Sequence, residues 1–200
     1  MGSSIVHRRS WDREWDVHHL TFSTFRSQPF FPGRHAGEWF LEALRQARQR
    51  CPFHLFAYVL MPEHVHLTLQ PGAGVTMQRV LWHLKQPVTM AALAWTRQHQ
   101  PGFLARLADV RPSGRTIYRF WLRGGGYDRN MRSGNETHEK IGYIHRNPVR
   151  RGLVERPEDW AWSSAADWVL GRVGPVPIDW DYLPEGRLKR IKARRQRTGE

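Results

Sequence analysis

The sequence predicts an α+β sandwich of the split β-α-β, ferredoxin-like kind, built on an antiparallel sheet. Three observations lead there. Segments with strand and helix periodicity interleave in the order strand, helix, strand, strand, helix, strand, helix. Two apolar runs are separated only by Pro62 and Glu63, which makes them neighbours joined by a tight turn. A chain of 200 residues with 40% hydrophobic content is enough for one compact core but not comfortably for two.

Trp15 to Phe25 alternates and is rich in β-branched and aromatic side chains, which predicts the first strand before Pro29, Pro32 and Gly33 break the chain. Between Glu38 and Gln49, Trp39, Phe40, Leu41, Leu44 and Ala47 recur at helical spacing until Pro52 closes the segment. The hairpin follows, with strands over Leu55 to Met61 and His64 to Gln70. Thr76 to His99 reads as helix, with Pro87 either kinking it or opening a separate helix. Ile117 to Leu122 is read as the fourth strand, and Gly124 to Gly126 as a flexible loop. Asn135 to His145 is helical again and is expected to end at Asn147-Pro148, because a residue before proline disfavours the helical well. These elements make a domain over residues 15–170, preceded by an extension, 1–14, and followed by a Pro/Gly-containing basic tail, 171–200. That tail ends in a crowd of Arg and Lys and is expected to be mobile or weakly helical.

Lys and Arg outnumber Asp and Glu by 31 to 18, a formal charge of +13. The excess exceeds what solubility needs and points to a polyanionic partner. Ten Trp and five Tyr favour nucleic acid, whose bases stack on such rings. The single cysteine, Cys51, leaves no intramolecular disulfide and no cysteine-based zinc cage, which fits a reducing, cytoplasmic setting. No run approaches about 18 uninterrupted apolar residues, so no membrane partner is expected.

His64 and His66 alternate along a predicted strand, so both imidazoles point to one face and can reach one metal ion. Such a pair can also be a packing contact or a polar stripe. Here it sits inside a core-forming hairpin, between Met61 and Leu67, where buried imidazoles need partners and a metal supplies one. Tyr143 and Asn147 stand four apart, about one helical turn. Four other tyrosines compete as a nucleophile. Tyr58 and Tyr118 fall in predicted strands and Tyr182 in the irregular C-terminal region, which leaves Tyr127, beside the glycine loop, as the rival.

The stretch LMPEHVHLTLQP, followed some eighty residues later by YIHRNPVRRGLVERPEDWAWSS, resembles the REP-associated branch of the IS200-like transposases, which are HUH-type nucleases with one catalytic tyrosine. FWLRGGGYDRN, from Phe120 to Asn130, resembles the family's stretch before its catalytic helix, and the resemblance spans about Trp15 to Trp168. It implies the HUH endonuclease fold, His64 and His66 as metal ligands, Tyr143 as nucleophile, and Asn147 as third ligand or orienting group. It also implies Mg²⁺ or Mn²⁺ as cofactor and single-stranded DNA with an adjacent hairpin as partner. Glu63 stands where relatives carry Asn and is a second-tier candidate beside the histidines, as Tyr127 is for the tyrosine. Arg146, Arg150 and Arg151 flank the tyrosine helix and are expected to contact phosphate.

The expected reaction is cleavage and strand transfer through a 5′-phosphotyrosine that conserves the bond energy. A domesticated hairpin-binding protein without cleavage and a metal-dependent hydrolase that uses water are the other readings. Because the histidines and the tyrosine can meet within one chain, a monomer is expected rather than a homodimer.

Overall fold

The computed structural model describes residues 16–31 and 33–186. Its first strand, β1 (Val17–Ser23), leads into helix α1 (Arg34–Arg50) and the hairpin β2 (Phe53–Met61) and β3 (His64–Pro71). Helix α2 (Met77–His99) and the short α3 (Leu104–Leu107) follow. Next come a small hairpin, β4 (Ala108–Val110) and β5 (Thr116–Tyr118), and then β6 (Tyr127–Met131), α4 (Gly134–His145), α5 (Asn147–Arg150) and α6 (Ala165–Leu170). The main sheet has the order β2-β3-β1-β6 and every pairing in it is antiparallel. β1 and β2 are therefore split by β3, the arrangement expected from the sequence.

The two faces of the sheet bury different partners. Leu20, Phe22, Val65, Leu67 and Leu69 join Phe40 and Leu44 of α1 and Val80, Leu84 and Val88 of α2 in one cluster. Val17, Val59, Met61 and Met131 join Ile141 and Ile144 of α4, with Trp168, in the other. A bulge in β2 shifts the register between Leu55 and Ala57, so Phe56 is the extra residue. Phe53 and Leu55 before it face the first cluster, whereas Phe56 and Ala57 both face the second. One inserted residue thus lets β2 serve both cores.

One expectation about the sheet is corrected. The fourth strand of the sheet is not Ile117 to Leu122 but β6. Thr116–Tyr118 pairs instead with β4 in a separate two-stranded hairpin, while Phe120 and Trp121 leave the strand to pack against Phe22, Phe31 and Phe40. β6 escaped notice because its sequence, YDRNM, is an edge with little apolar alternation. Of the two readings of Pro87, a separate helix is excluded: α2 runs from Met77 to His99 with Pro87 inside, and Val80, Leu84, Val88 and Ala92 are buried along one face. α4 closes at His145 with Arg146 as its C-cap, before Asn147-Pro148 as expected, and Pro148 then occupies the first turn of the separate short helix α5, where its missing N–H is not needed. Arg146 bridges the two, its N–H bonded to Gly142 and its carbonyl accepting from Arg150 N–H.

Beyond α6, Val176, Ile178 and Leu183 are buried. Asp179 accepts hydrogen bonds from Arg48 at 2.6 Å and from the Leu55 backbone at 2.7 Å. Where a mobile or weakly helical tail was expected from residue 171, Val176 and Ile178 instead anchor the described part of it to the first cluster and Leu183 to the second. Residues 1–14 and the strongly basic residues 187–200 lie outside those described. Among the described residues, no helix is long and apolar enough to cross a membrane.

Candidate active site

The candidate site lies on the sheet face that carries α4. A two-residue turn at Pro62 and Glu63 starts β3 with His64. The register then sets His66 opposite Thr21 of β1, and Thr21 opposite Tyr127 of β6. Alternation places His64 and His66 on one face, with Val65 and Leu67 turned to the opposite core.

The imidazoles meet edge to face, with ring centroids 4.6 Å apart and their Nε2 atoms 3.0 Å apart. Asn147 brings its side-chain amide to 3.0 Å from His66 Nε2. The remaining ring nitrogens are engaged elsewhere: His64 Nδ1 lies 3.0 Å from Glu63 Oε1, and His66 Nδ1 lies 2.9 Å from Thr21 Oγ1. Outer-shell groups of this kind fix the tautomer and aim of metal-binding histidines. Glu63 is itself paired with Arg151 at 2.7 Å.

A divalent ion fits this donor set. Two ligands at about 2.1 Å from one ion, set at right angles, stand roughly 3.0 Å apart. A half-turn of the Asn147 amide, whose two ends are nearly indistinguishable in shape, presents its oxygen to the same point. Among the described residues no three His, Cys, Asp or Glu converge on a metal position, since the third group here is an amide.

Burial, followed by the positive surroundings of His64, His19 and Lys140, pushes His66 down to about 2. Burial also lowers His64, against the opposing pull of Glu63. Both rings are thus held neutral, the form that binds metal. Burial would raise Glu63, but the hydrogen bond and charge of Arg151, with the hydrogen bond from His64, outweigh it and keep the carboxyl below its ordinary range.

Tyr143 projects from α4 with 41% of its surface exposed, while its neighbours Ile141 and Ile144 are buried. Two cations flank the ring: Lys140 Nζ at 4.9 Å and Arg150 Cζ at 5.2 Å from its centroid. Tyr143 and Asn147 stand four apart across the α4–α5 joint. Arg146 is exposed at that joint. Tyr127, also 41% exposed, stands edge-on to His19 at 6.4 Å. Tyr58 is fully buried, and burial pushes its phenol well above the usual range.

Of the residues singled out from sequence, His64, His66, Asn147 and Glu63 are brought together, with Arg151 joined through Glu63 and Arg150 against Tyr143. Sequence reasoning missed three more. Thr21 holds His66. His19 stacks on His66 at 5.5 Å, with its Nε2 3.3 Å from the same Thr21 hydroxyl. Lys140 lies close enough to lower both His19 and His66. His19 and Thr21 did carry a period-two signal in VHHLT, but only the β1–β3 pairing reveals what they face.

No family model matches the chain. A protein of Haemophilus influenzae carrying the REP-associated tyrosine transposase name is 28% identical over 151 residues, 75% of this chain and 79% of its own length. The chain is a relative of the REP-associated tyrosine transposases. The REP-associated tyrosine transposase of Escherichia coli K12 is 26% identical over 140 residues, covering 69% of this chain and 68% of that protein. A solved REP-associated tyrosine transposase bound to a REP hairpin shares the fold, with a TM-score of 0.62 at 20% identity over 92% of this chain and 93% of that one.

Proposed function

We propose that this protein cleaves and rejoins single-stranded DNA at hairpin-associated sequences through a 5′-phosphotyrosine on Tyr143, acting as a cytoplasmic monomer. The observation that carries the reading is the convergence of His64 Nε2, His66 Nε2 and the Asn147 amide, one helical turn from an exposed tyrosine between two cations.

His64, His66 and Asn147 would hold Mg²⁺ or Mn²⁺, which when bound supplies Lewis-acid polarisation of a non-bridging phosphate oxygen. The Tyr143 oxygen forms its bond to phosphorus as the bond to the 3′ oxygen breaks. The phenolic proton is given up, and the departing 3′ oxygen takes one. Bond number is conserved, so a different 3′-hydroxyl can reverse the step and join strands without ATP. Lys140 and Arg150 lie over the ring, 4.9 and 5.2 Å from its centroid, where they would meet the phosphate drawn to Tyr143. Arg146, Arg150 and Arg151 contact the backbone of the incoming strand. Arg151 keeps half of its side chain exposed even while paired to Glu63.

Incubation with labelled single-stranded hairpin oligonucleotides and Mg²⁺ or Mn²⁺, followed by denaturing electrophoresis, tests the proposal. A metal-dependent covalent adduct present in the wild type and absent in Tyr143→Phe is the expected result. Loss of the adduct in Tyr127→Phe instead would transfer the nucleophile to Tyr127. Hairpin binding without any adduct would leave a binding protein.

A further inference from the structure

The β4–β5 hairpin belongs to neither core. Its strands form a two-stranded sheet of their own, and no residue of it joins either hydrophobic cluster. A ribbon of this size gains little stability by itself. Its register sets Val110 beside Thr116 and Ala108 beside Tyr118 on one face, and Val110 and Tyr118 are exposed there.

Positive charge concentrates on this arm. From Leu104 to Gly124 the chain carries Arg106, Arg111, Arg115, Arg119 and Arg123 against a single acid, Asp109. Asp109 lies on the second face, 2.5 Å from Arg119 and 3.6 Å from Arg111. The Arg119 hydrogen bond outweighs desolvation and, with the charges of Arg111 and Arg26, holds the carboxyl below its ordinary range. One carboxylate balances one guanidinium, so the charge of these three arginines is not cancelled. Arg26 and Ser27 are moreover held in left-handed backbone, at φ 55° and 51°, a strained pair that the surroundings must impose. Thr24 Oγ1 braces that turn, donating to the carbonyls of Gln28 and Glu63. At the tip of the arm Arg115 is exposed.

The arm is rooted at the end of the sheet where His64 begins β3. Leu122 N–H bonds to the Ser23 carbonyl at 2.9 Å, and Ser23 is the register partner of His64. A two-stranded ribbon is of a size that the major groove of duplex DNA admits, and guanidinium groups match phosphate oxygens in pairs. The exposed Val110 and Tyr118 would also suit a protein, but five arginines against one acid favour a polyanion.

We infer that the β4–β5 arm, with Arg26 behind it, grips the phosphate backbone of the paired stem of a DNA hairpin, beside the site that receives the unpaired strand. The inference rests on the proposed hairpin substrate and adds the surface that holds its duplex part. Backbone contacts carry no sequence information, so a hairpin of arbitrary sequence serves as probe.

The test is fluorescence anisotropy of the full chain in EDTA, with a labelled blunt-ended DNA hairpin and labelled oligo-dT of equal nucleotide count, over a salt series. Arg111→Ala with Arg115→Ala should reduce the slope of log affinity against log salt on the hairpin by about 1.8, or about 0.9 for each cation lost. Its slope on oligo-dT should stay at the wild-type value, which also reports an intact fold. Arg111→Lys with Arg115→Lys should keep the wild-type slope on both probes. Arg50→Ala with Arg97→Ala removes the same charge from exposed positions on α1 and α2 and should leave the hairpin slope unchanged. An unmoved hairpin slope in the arm variant would overturn the inference and pass the Val110 and Tyr118 face to a protein partner. An equal fall on oligo-dT or in the Arg50 and Arg97 pair would overturn it as well, since any lost charge would then serve. Arm-dependent hairpin binding by a protein that forms no covalent adduct would leave the arm standing and end the cleavage reading. Adduct formation with an unmoved slope would do the reverse.

Discussion

At the residue scale the site is a set of imidazoles kept neutral and aimed by their neighbours. Glu63 accepts from His64 Nδ1 and is anchored in turn by Arg151, so Glu63→Gln should weaken Mn²⁺ binding by about 10- to 100-fold. Calorimetric titration would read the loss, and unchanged affinity would make Glu63 a bystander. Lys140 offers a second measure. A cation over an exposed aromatic ring is worth about 0.5–1 kcal/mol, so Lys140→Met should slow adduct formation roughly two- to fivefold. Wild-type rates would mean that the amine only rests on the ring.

The second titratable feature lies on the opposite face of the sheet. Burial pushes the Lys85 amine down to about 8, with Nζ donating to the Gly124 carbonyl at 2.8 Å and lying 5.1 Å from the Phe22 ring centroid. The unfolded chain holds this proton up to about 10.4. Between those values it binds more protons than the folded chain, so stability rises with pH, by at most about 1.4 kcal/mol per pH unit. Denaturant unfolding at pH 7.5 and 9.5 should show the gain, and Lys85→Met should flatten it. An equal gain in the variant would assign the slope to relief of the net positive charge.

At the scale of elements, the loop into β6 depends on one glycine. Gly126 has φ +83°, and a Cβ there would stand 2.2 Å from the Thr21 carbonyl oxygen, on the strand that holds His66. Gly126→Ala should therefore disturb the β1–β6 pairing and cost at least about 1–3 kcal/mol from backbone strain alone. A variant as stable as the wild type in thermal unfolding would contradict the close approach. The α4–α5 joint is the other decisive element. Arg146 joins the two helices, its N–H bonded to Gly142 and its carbonyl accepting from Arg150, and so sets the spacing between Tyr143 and Asn147.

For the whole molecule, charge dominates. With a formal +13 on 200 residues, the proposed binding to single-stranded DNA should be strongly salt-dependent, and removing one phosphate-binding cation should reduce the slope of log affinity against log salt by about 0.7. Arg150→Ala, on the described surface beside Tyr143, should show that decrement along with weaker binding at low salt. An unchanged slope would remove Arg150 from the strand's path.

The sequence by itself determined the class of the fold, the hairpin and the histidine face, because strand alternation and a two-residue turn are local properties with a fixed period. That His64 and His66 share a face and that Asn147 follows Tyr143 by about one turn were legible for the same reason, whereas the roles proposed for them came from the family resemblance. Tertiary structure alone decided that β6, polar and short, completes the sheet where Ile117 to Leu122 had been expected, since an edge strand is specified by its partner rather than by its own pattern. It alone placed Thr21 and His19 behind His66. Those contacts join residues far apart in the chain, and they depend on strand register and helix docking, which no local periodicity encodes.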